Sequence, residues 1–179
     1  MNKFSFDELF VGQTAEFTRT ITAEMMNQFR EVSGDNNPLH VDDDFAKDKG
    51  FSARVVYGML TASLYSCFAG EYIPGENCLL HSVHADFLNP AYIGDTLTVT
   101  GKIVEKHDSV RQIVIKAVIR NQNGKKISRA KIEAGGVDKC KKLTYYLDRR
   151  QKFVSLLFVI TIGKPTIKLS RNISAMIKR

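Results

Sequence analysis

An almost wholly apolar segment, Gly58–Tyr72, constrains the fold of this 179-residue chain more than any other feature. It reads GMLTASLYSCFAGEY and carries one charge, at Glu71. A helix that is apolar on all sides is expected to be buried. At about 15 residues it is also shorter than the roughly 20 that a membrane span needs. The segment therefore predicts a central core helix.

Strand patterns dominate the chain after this helix. In Val110–Asn121, apolar residues alternate with mixed ones, which is typical of a strand with one buried face. Asn123-Gly124 predicts a two-residue hairpin turn after it. The predicted strands are Thr14–Ile21, Leu79–Leu88, Thr96–Lys106, Val110–Asn121 and Lys126–Ala134. Since helices and strands are segregated, the pattern indicates an α+β fold in which an antiparallel sheet wraps around the long central helix.

Helical signals also precede the central helix. Thr22 is a plausible N-cap, and apolar residues recur at helical spacing from Met25 to Val32. Ser33-Gly34 predicts the end of this helix. A second, short helix is predicted over Asp43–Lys49, ended by Gly50.

Between these helices, SGDNNPLH places a carboxylate, Asp35, five residues before an imidazole, His40. Asn37 precedes Pro38, which favours an extended backbone there, so a non-helical turn is predicted to separate the two side chains. An acid/base pair aimed at one water molecule is what adding water to a carbon–carbon double bond requires. An Asx cap and a structural histidine are the simpler interpretation of this octapeptide alone.

Three segments occur in the order and spacing of a known family. They are GDNNPLHVD from Gly34, RVVYGML from Arg54 and FLNPAYIGDTL from Phe87. Together they resemble the MaoC-like, R-specific enoyl-CoA hydratases of the hot-dog superfamily, over roughly residues 5–134. The resemblance implies a hot-dog domain over residues 1–136.

The resemblance also implies a set of site residues. Asp35 and His40 match the catalytic pair, and Asn37 matches the residue that braces the turn between them. Gly58 matches the glycine whose N–H binds the thioester carbonyl. A supporting serine is expected on the central helix, at Ser66 or alternatively at Ser63. Tyr57 stands where many relatives carry His, near the acyl entrance.

The net charge of +7 is unevenly distributed. Residues 138–179 hold eleven Lys or Arg and two Asp, so the rest of the chain is close to neutral and the charge does not indicate nucleic-acid binding. Residues 137–179 are interpreted as a basic C-terminal extension, either poorly ordered or part of a truncated further domain. Membrane contact through it is the less favoured interpretation.

The three cysteines, Cys67, Cys78 and Cys140, lack metal-ligand spacing. Their odd number fits a reducing compartment, so a cytoplasmic protein without a metal site is expected. The resemblance implies no cofactor beyond the coenzyme A thioester of the substrate. It also implies a homodimer or a dimer of dimers.

Two rival functions remain open at this point. A 3-hydroxyacyl-[acyl-carrier-protein] dehydratase would use the same Asp/His chemistry on a different thioester handle. A non-catalytic hot-dog subunit would need neither side chain, and the retention of Asp35 and His40 argues against it.

Overall fold

A five-stranded antiparallel sheet frames residues 1–137, the part of the chain that the computed structural model describes. The predictions for the C-terminal extension beyond Val137, and for Cys140, lie outside the described residues. The order across the sheet is β1-β3-β4-β5-β2, so β1 and β2 are its edges. The strands are β1 (Thr14–Thr20), β2 (Cys78–Phe87), β3 (Thr96–His107), β4 (Gln112–Arg120) and β5 (Lys126–Gly136).

The helices lie before β2 in the chain. A 3₁₀ turn at Phe6–Glu8 precedes β1. The α-helices are α1 (Ala23–Ser33), α2 (Pro38–Val41), α3 (Asp43–Asp48) and α4 (Gly58–Cys67). A π-helical stretch, Phe68–Tyr72, continues α4, so the two together span the predicted central helix.

The alternating pattern in β4 predicted one of its buried faces correctly. Ile113, Ile115, Ala117 and Ile119 are buried there. The hairpin to β5 is present, but its connection is longer than the two residues predicted from Asn123-Gly124. The pairing stops at Arg120 and Lys126. Asn121 closes the five-residue connection, because its Oδ1 accepts hydrogen bonds from the N–H groups of Asn123 and Lys125.

The sheet wraps one side of the central helix, which confirms the predicted α+β hot-dog architecture. Phe68 is fully buried and approaches β3 at Gly101, where a Cβ would lie only 2.4 Å from the end of the phenyl ring. Tyr65 is also fully buried, and its hydroxyl donates to Ser128 Oγ on β5 at 3.0 Å. Burial raises the pKa of Tyr65 to about 12.

The expectation that the central helix is buried on all sides is wrong for the single chain. Met59 is 64% exposed, and Ser63 and Ser66 are exposed on the same face. One curved sheet covers only one side of a helix, so the remaining apolar face has no cover within residues 1–137.

The close approach of Phe68 to β3 predicts that Gly101→Ala destabilises the protein by about 1–3 kcal/mol, the usual cost of overpacking a core. The Phe68 ring cannot yield readily because it is fully buried. Urea unfolding of the two proteins measures the difference. Phe68→Leu is the second substitution of a double-mutant cycle. It should lower the free energy of unfolding less in the Gly101→Ala background than in the wild type. Additive effects of the two substitutions would contradict this packing.

Candidate active site

Asp35 lies in an exposed turn that follows the left-handed C-cap of α1, Gly34. The carboxylate is held by its own turn, since Asp35 Oδ1 accepts the N–H of Asn37 at 3.0 Å. Asn37 in turn caps α2, with its Oδ1 accepting the N–H of Leu39 at 2.9 Å. The predicted bracing position of Asn37 therefore corresponds to two hydrogen bonds that organise the turn.

His40 lies on α2, a single helical turn, so the prediction of a wholly non-helical connection is wrong at its second half. Asn37 is extended as predicted, with φ −55° and ψ 126°. Pro38 follows at the first helical position, where its fixed φ suits a helix and its missing N–H costs nothing. The same proline that keeps Asn37 out of the helix thus starts the helix that carries His40.

The imidazole of His40 is oriented by a backbone carbonyl. Its Nδ1 lies 2.7 Å from the carbonyl oxygen of Val55. A carbonyl oxygen only accepts, so Nδ1 carries the proton in this hydrogen bond. The neutral ring is therefore left with a lone pair on Nε2, which is the atom available for proton transfer.

Tyr57 joins the two members of the pair. Its buried ring lies against the His40 imidazole, with centroids 4.2 Å apart. Its hydroxyl donates to the backbone carbonyl of Asp35 at 2.8 Å. Burial, followed by the negative charge of Asp35, raises the pKa of the Tyr57 phenol. The hydroxyl therefore remains a donor around neutral pH.

Gly58 is the first residue of α4, so its N–H has no acceptor within the helix. A free N–H at this positive end of a helix is suited to an oxyanion. Asp35, His40, Tyr57 and Gly58 all line one cavity of about 290 Å³. The structure thus gathers four of the predicted site residues at one place.

A second cavity, of about 360 Å³, shares His40, Gly58 and Phe87 with the first. Most of its other lining is apolar, including Phe51, Val56 and Ile127. An apolar space that has His40 and Gly58 at its margin can hold an acyl chain while polar groups line the adjoining cavity.

Phe87 was missed as a site residue by the sequence reasoning. It lines both cavities, and a Cβ at Gly58 would lie 3.3 Å from its ring. The residue opens FLNPAYIGDTL, the third segment of the family resemblance, to which no site role was assigned. An aromatic residue at a strand end, just before Asn-Pro, is the signal that could have found it.

Neither serine lines the cavity that holds Asp35 and His40. Ser63 lines an adjoining groove between α4 and β2, which shares Phe29, Met59 and Phe87 with that cavity. The Ser63 hydroxyl donates to the Leu60 carbonyl. Ser66 is exposed and follows Gly58 by eight residues, which is about 12 Å along a helix axis. A part in the reaction for either serine stays a prediction.

Residues 1–137 contain neither a candidate metal cluster nor a helix able to span a membrane. No three His, Cys, Asp or Glu side chains in this part gather in a way that could hold a metal ion. None of its helices has the length and apolar content needed to cross a bilayer. Burial raises the pKa of the Cys67 and Cys78 thiols, which makes both poor nucleophiles at neutral pH.

The chain is similar to known proteins over most of its described residues. Residues 9–124 match the family model described as a MaoC like domain. An (R)-specific enoyl-CoA hydratase of Rhodospirillum rubrum is 35% identical over 105 residues, which cover 56% of this chain and 73% of the relative. A mitochondrial 3-hydroxyacyl-[acyl-carrier-protein] dehydratase of Arabidopsis thaliana is 32% identical over 108 residues, covering 60% of this chain and 64% of the relative.

A solved structure is also similar. The (R)-hydratase from A. caviae involved in PHA biosynthesis superposes with a TM-score of 0.68 at 28% identity. The superposition covers 71% of this chain and 96% of that one.

The contact between His40 and Val55 predicts the Nδ1–H tautomer for neutral His40. Long-range ¹H–¹⁵N NMR distinguishes the two ring nitrogens, and the His40→Gln variant identifies the signal. His107 is an internal control of the opposite kind, since its Nε2 faces the Glu105 carboxylate at 3.2 Å and should carry the proton. An Nε2–H tautomer at His40 would contradict the orientation described above.

Proposed function

The chain belongs to the MaoC-like family of hydratases and dehydratases, and from that premise we propose that it adds water to trans-2-enoyl-CoA to give R-3-hydroxyacyl-CoA, reversibly. The observation that carries the proposal is the single cavity that unites Asp35, His40 and the N-terminus of α4 at Gly58. The adjoining apolar cavity supports an acyl substrate.

The proposed reaction uses one water molecule. The Asp35 carboxylate and His40 Nε2 hydrogen-bond that water, whose hydroxyl is added to the β-carbon while a proton is delivered to the α-carbon on the same side. Between them, the pair takes up one proton and gives up one, as general acid/base catalysis requires. Negative charge that develops on the thioester oxygen is stabilised by the Gly58 N–H.

The acyl-carrier-protein dehydratase is the second candidate, favoured by the 32% identity to the Arabidopsis relative of that name. The two functions share the pair and the oxyanion site, and they differ in what is attached to the thioester sulfur. A comparison of kcat/KM for the same crotonyl group on coenzyme A and on acyl carrier protein separates them.

The proposal predicts that purified protein removes the enoyl-thioester absorbance of crotonyl-CoA and that Asp35→Asn slows this by about 10³-fold, within the usual range for a general acid or base. Asp44→Asn is the matched control: its carboxylate is exposed on α3 and pairs with Lys47, so activity should be unchanged. Normal turnover by a folded Asp35→Asn protein would rule out the mechanism. A wild type inactive on both crotonyl thioesters would favour a non-catalytic subunit.

We also propose a second copy of this chain as the partner of the uncovered surface. β2 is ten residues long and forms one edge of the sheet, where its unpaired backbone can accept another strand. Large apolar side chains are exposed along it, with Leu79 at 52% and Phe87 at 51%. The exposed face of α4, with Met59, lies across an apolar groove from β2.

This arrangement predicts a particle of twice the chain mass, or of four chains, in analytical ultracentrifugation. The paired substitution Met59→Glu and Leu79→Lys should shift the protein toward the monomer, because each places a charge on the apolar surface. Val11→Lys is the control, since Val11 is also exposed but precedes β1 at the opposite edge of the sheet. A monomeric wild type would contradict the proposal.

A further inference from the structure

We infer that Tyr57 is a positioning residue for the proposed hydration. Its hydroxyl holds the Asp35 turn next to the N-terminus of α4. The inference rests on the proposed function for its catalytic consequence. It goes beyond the expectation that Tyr57 shapes the acyl entrance.

The turn that carries Asp35, residues 33–37, makes few contacts with the rest of the described structure. Residues 33–37 are all exposed. Their hydrogen bonds to side chains are local: Ser33 Oγ accepts the Asp35 N–H, Asn36 Nδ2 donates to the Gly34 carbonyl, and Arg30 donates to Asn36. Within the described residues, the Tyr57 hydroxyl makes the one hydrogen bond that ties this turn to a residue more than ten positions away.

The hydrogen bond from Tyr57 to the Asp35 carbonyl also restricts the Asp35 carboxylate, because the turn connects the two groups. Asp35 Oδ1 is bound to the N–H of Asn37, so the side chain is fixed relative to its own backbone. When Tyr57 fixes the carbonyl, the carboxylate follows. A displacement of about 1 Å in such a group can cost as much as 10²-fold in rate.

Tyr57 also contacts His40, the second member of the proposed pair. Its ring lies between Phe29 and His40, with centroids at 5.1 Å and 4.2 Å. His40 is bound to the carbonyl of Val55, two residues before Tyr57. One short segment, Val55–Tyr57, therefore contacts both members of the proposed pair, His40 through the Val55 carbonyl and Asp35 through the Tyr57 hydroxyl.

Tyr57→Phe tests the inference because it keeps the ring and removes only the hydroxyl. We expect kcat for crotonyl-CoA hydration to fall about tenfold with KM within twofold of the wild type. The same substitution in the Asp35→Asn background should cause no further loss, because the hydroxyl acts through Asp35. An unchanged kcat, or an equal loss in both backgrounds, would overturn the inference.

Tyr65→Phe is the matched control. Tyr65 is a buried tyrosine within α4, and its hydroxyl donates to Ser128, so this substitution likewise removes one tyrosine hydrogen bond. It should lower stability without lowering kcat. A loss of kcat equal to that of Tyr57→Phe would assign the effect to general destabilisation and overturn the inference.

A measurement without substrate separates this inference from the proposed function. Hydrogen exchange of the peptide covering residues 33–40 should be faster in Tyr57→Phe than in the wild type, and unchanged in Tyr65→Phe. Faster exchange together with an inactive wild type would overturn the proposed function and leave the positioning contact in place. Unchanged exchange in Tyr57→Phe would overturn the contact itself.

Discussion

The anchoring of Val55–Tyr57 is the constraint on which the candidate site depends. The N–H of Val55 is bonded to the carbonyl of Leu39 and that of Val56 to the carbonyl of Ala91, so this stretch joins α2 to the segment that leads into β3. α4 begins immediately afterwards at Gly58. The sheet fixes α4 from one side, and this stretch then fixes the positions of Asp35 and His40 relative to the helix N-terminus. Fold and site are thus connected through three residues.

The sequence predicted the local structure of this chain well because most of it depends on periodicity and capping. The apolar alternation in β4 identified the buried face formed by Ile113, Ile115, Ala117 and Ile119, although Val114 of the other parity is buried as well. Thr22 caps α1 by accepting the N–H of Met25, as expected. The boundaries of the short α3 helix follow from its own residues, since Asp42 caps it and Gly50 follows its end with φ +86°. Strand periodicity and helix caps depend on residues close together in the chain, so they can be predicted from a single sequence.

The contacts that turn these elements into a site join distant positions, and the sequence does not reveal them. The resemblance indicated Asp35 and His40, but it could not show that the Val55 carbonyl fixes the imidazole tautomer from 15 residues away. It placed Tyr57 near the substrate without showing that the hydroxyl is taken by the Asp35 backbone. Phe87 was overlooked because its importance arises only when the end of β2 meets the start of α4. Each of these depends on packing between elements rather than on local propensity.

The central helix is exposed on one face, contrary to the prediction, and this exposed face adjoins the candidate site. Met59 and Phe87 belong to the uncovered apolar surface, and both also line the cavity that holds Asp35 and His40. A second copy that covers this surface would remove water from the same space in which the pair works, and electrostatic interactions strengthen as water is excluded. Asp35 is exposed in the single chain, where its charge is screened by solvent. Assembly and the proposed reaction would then depend on the same side chains. A substitution that separates the copies should therefore also weaken the proposed reaction, even when Asp35 and His40 are unchanged.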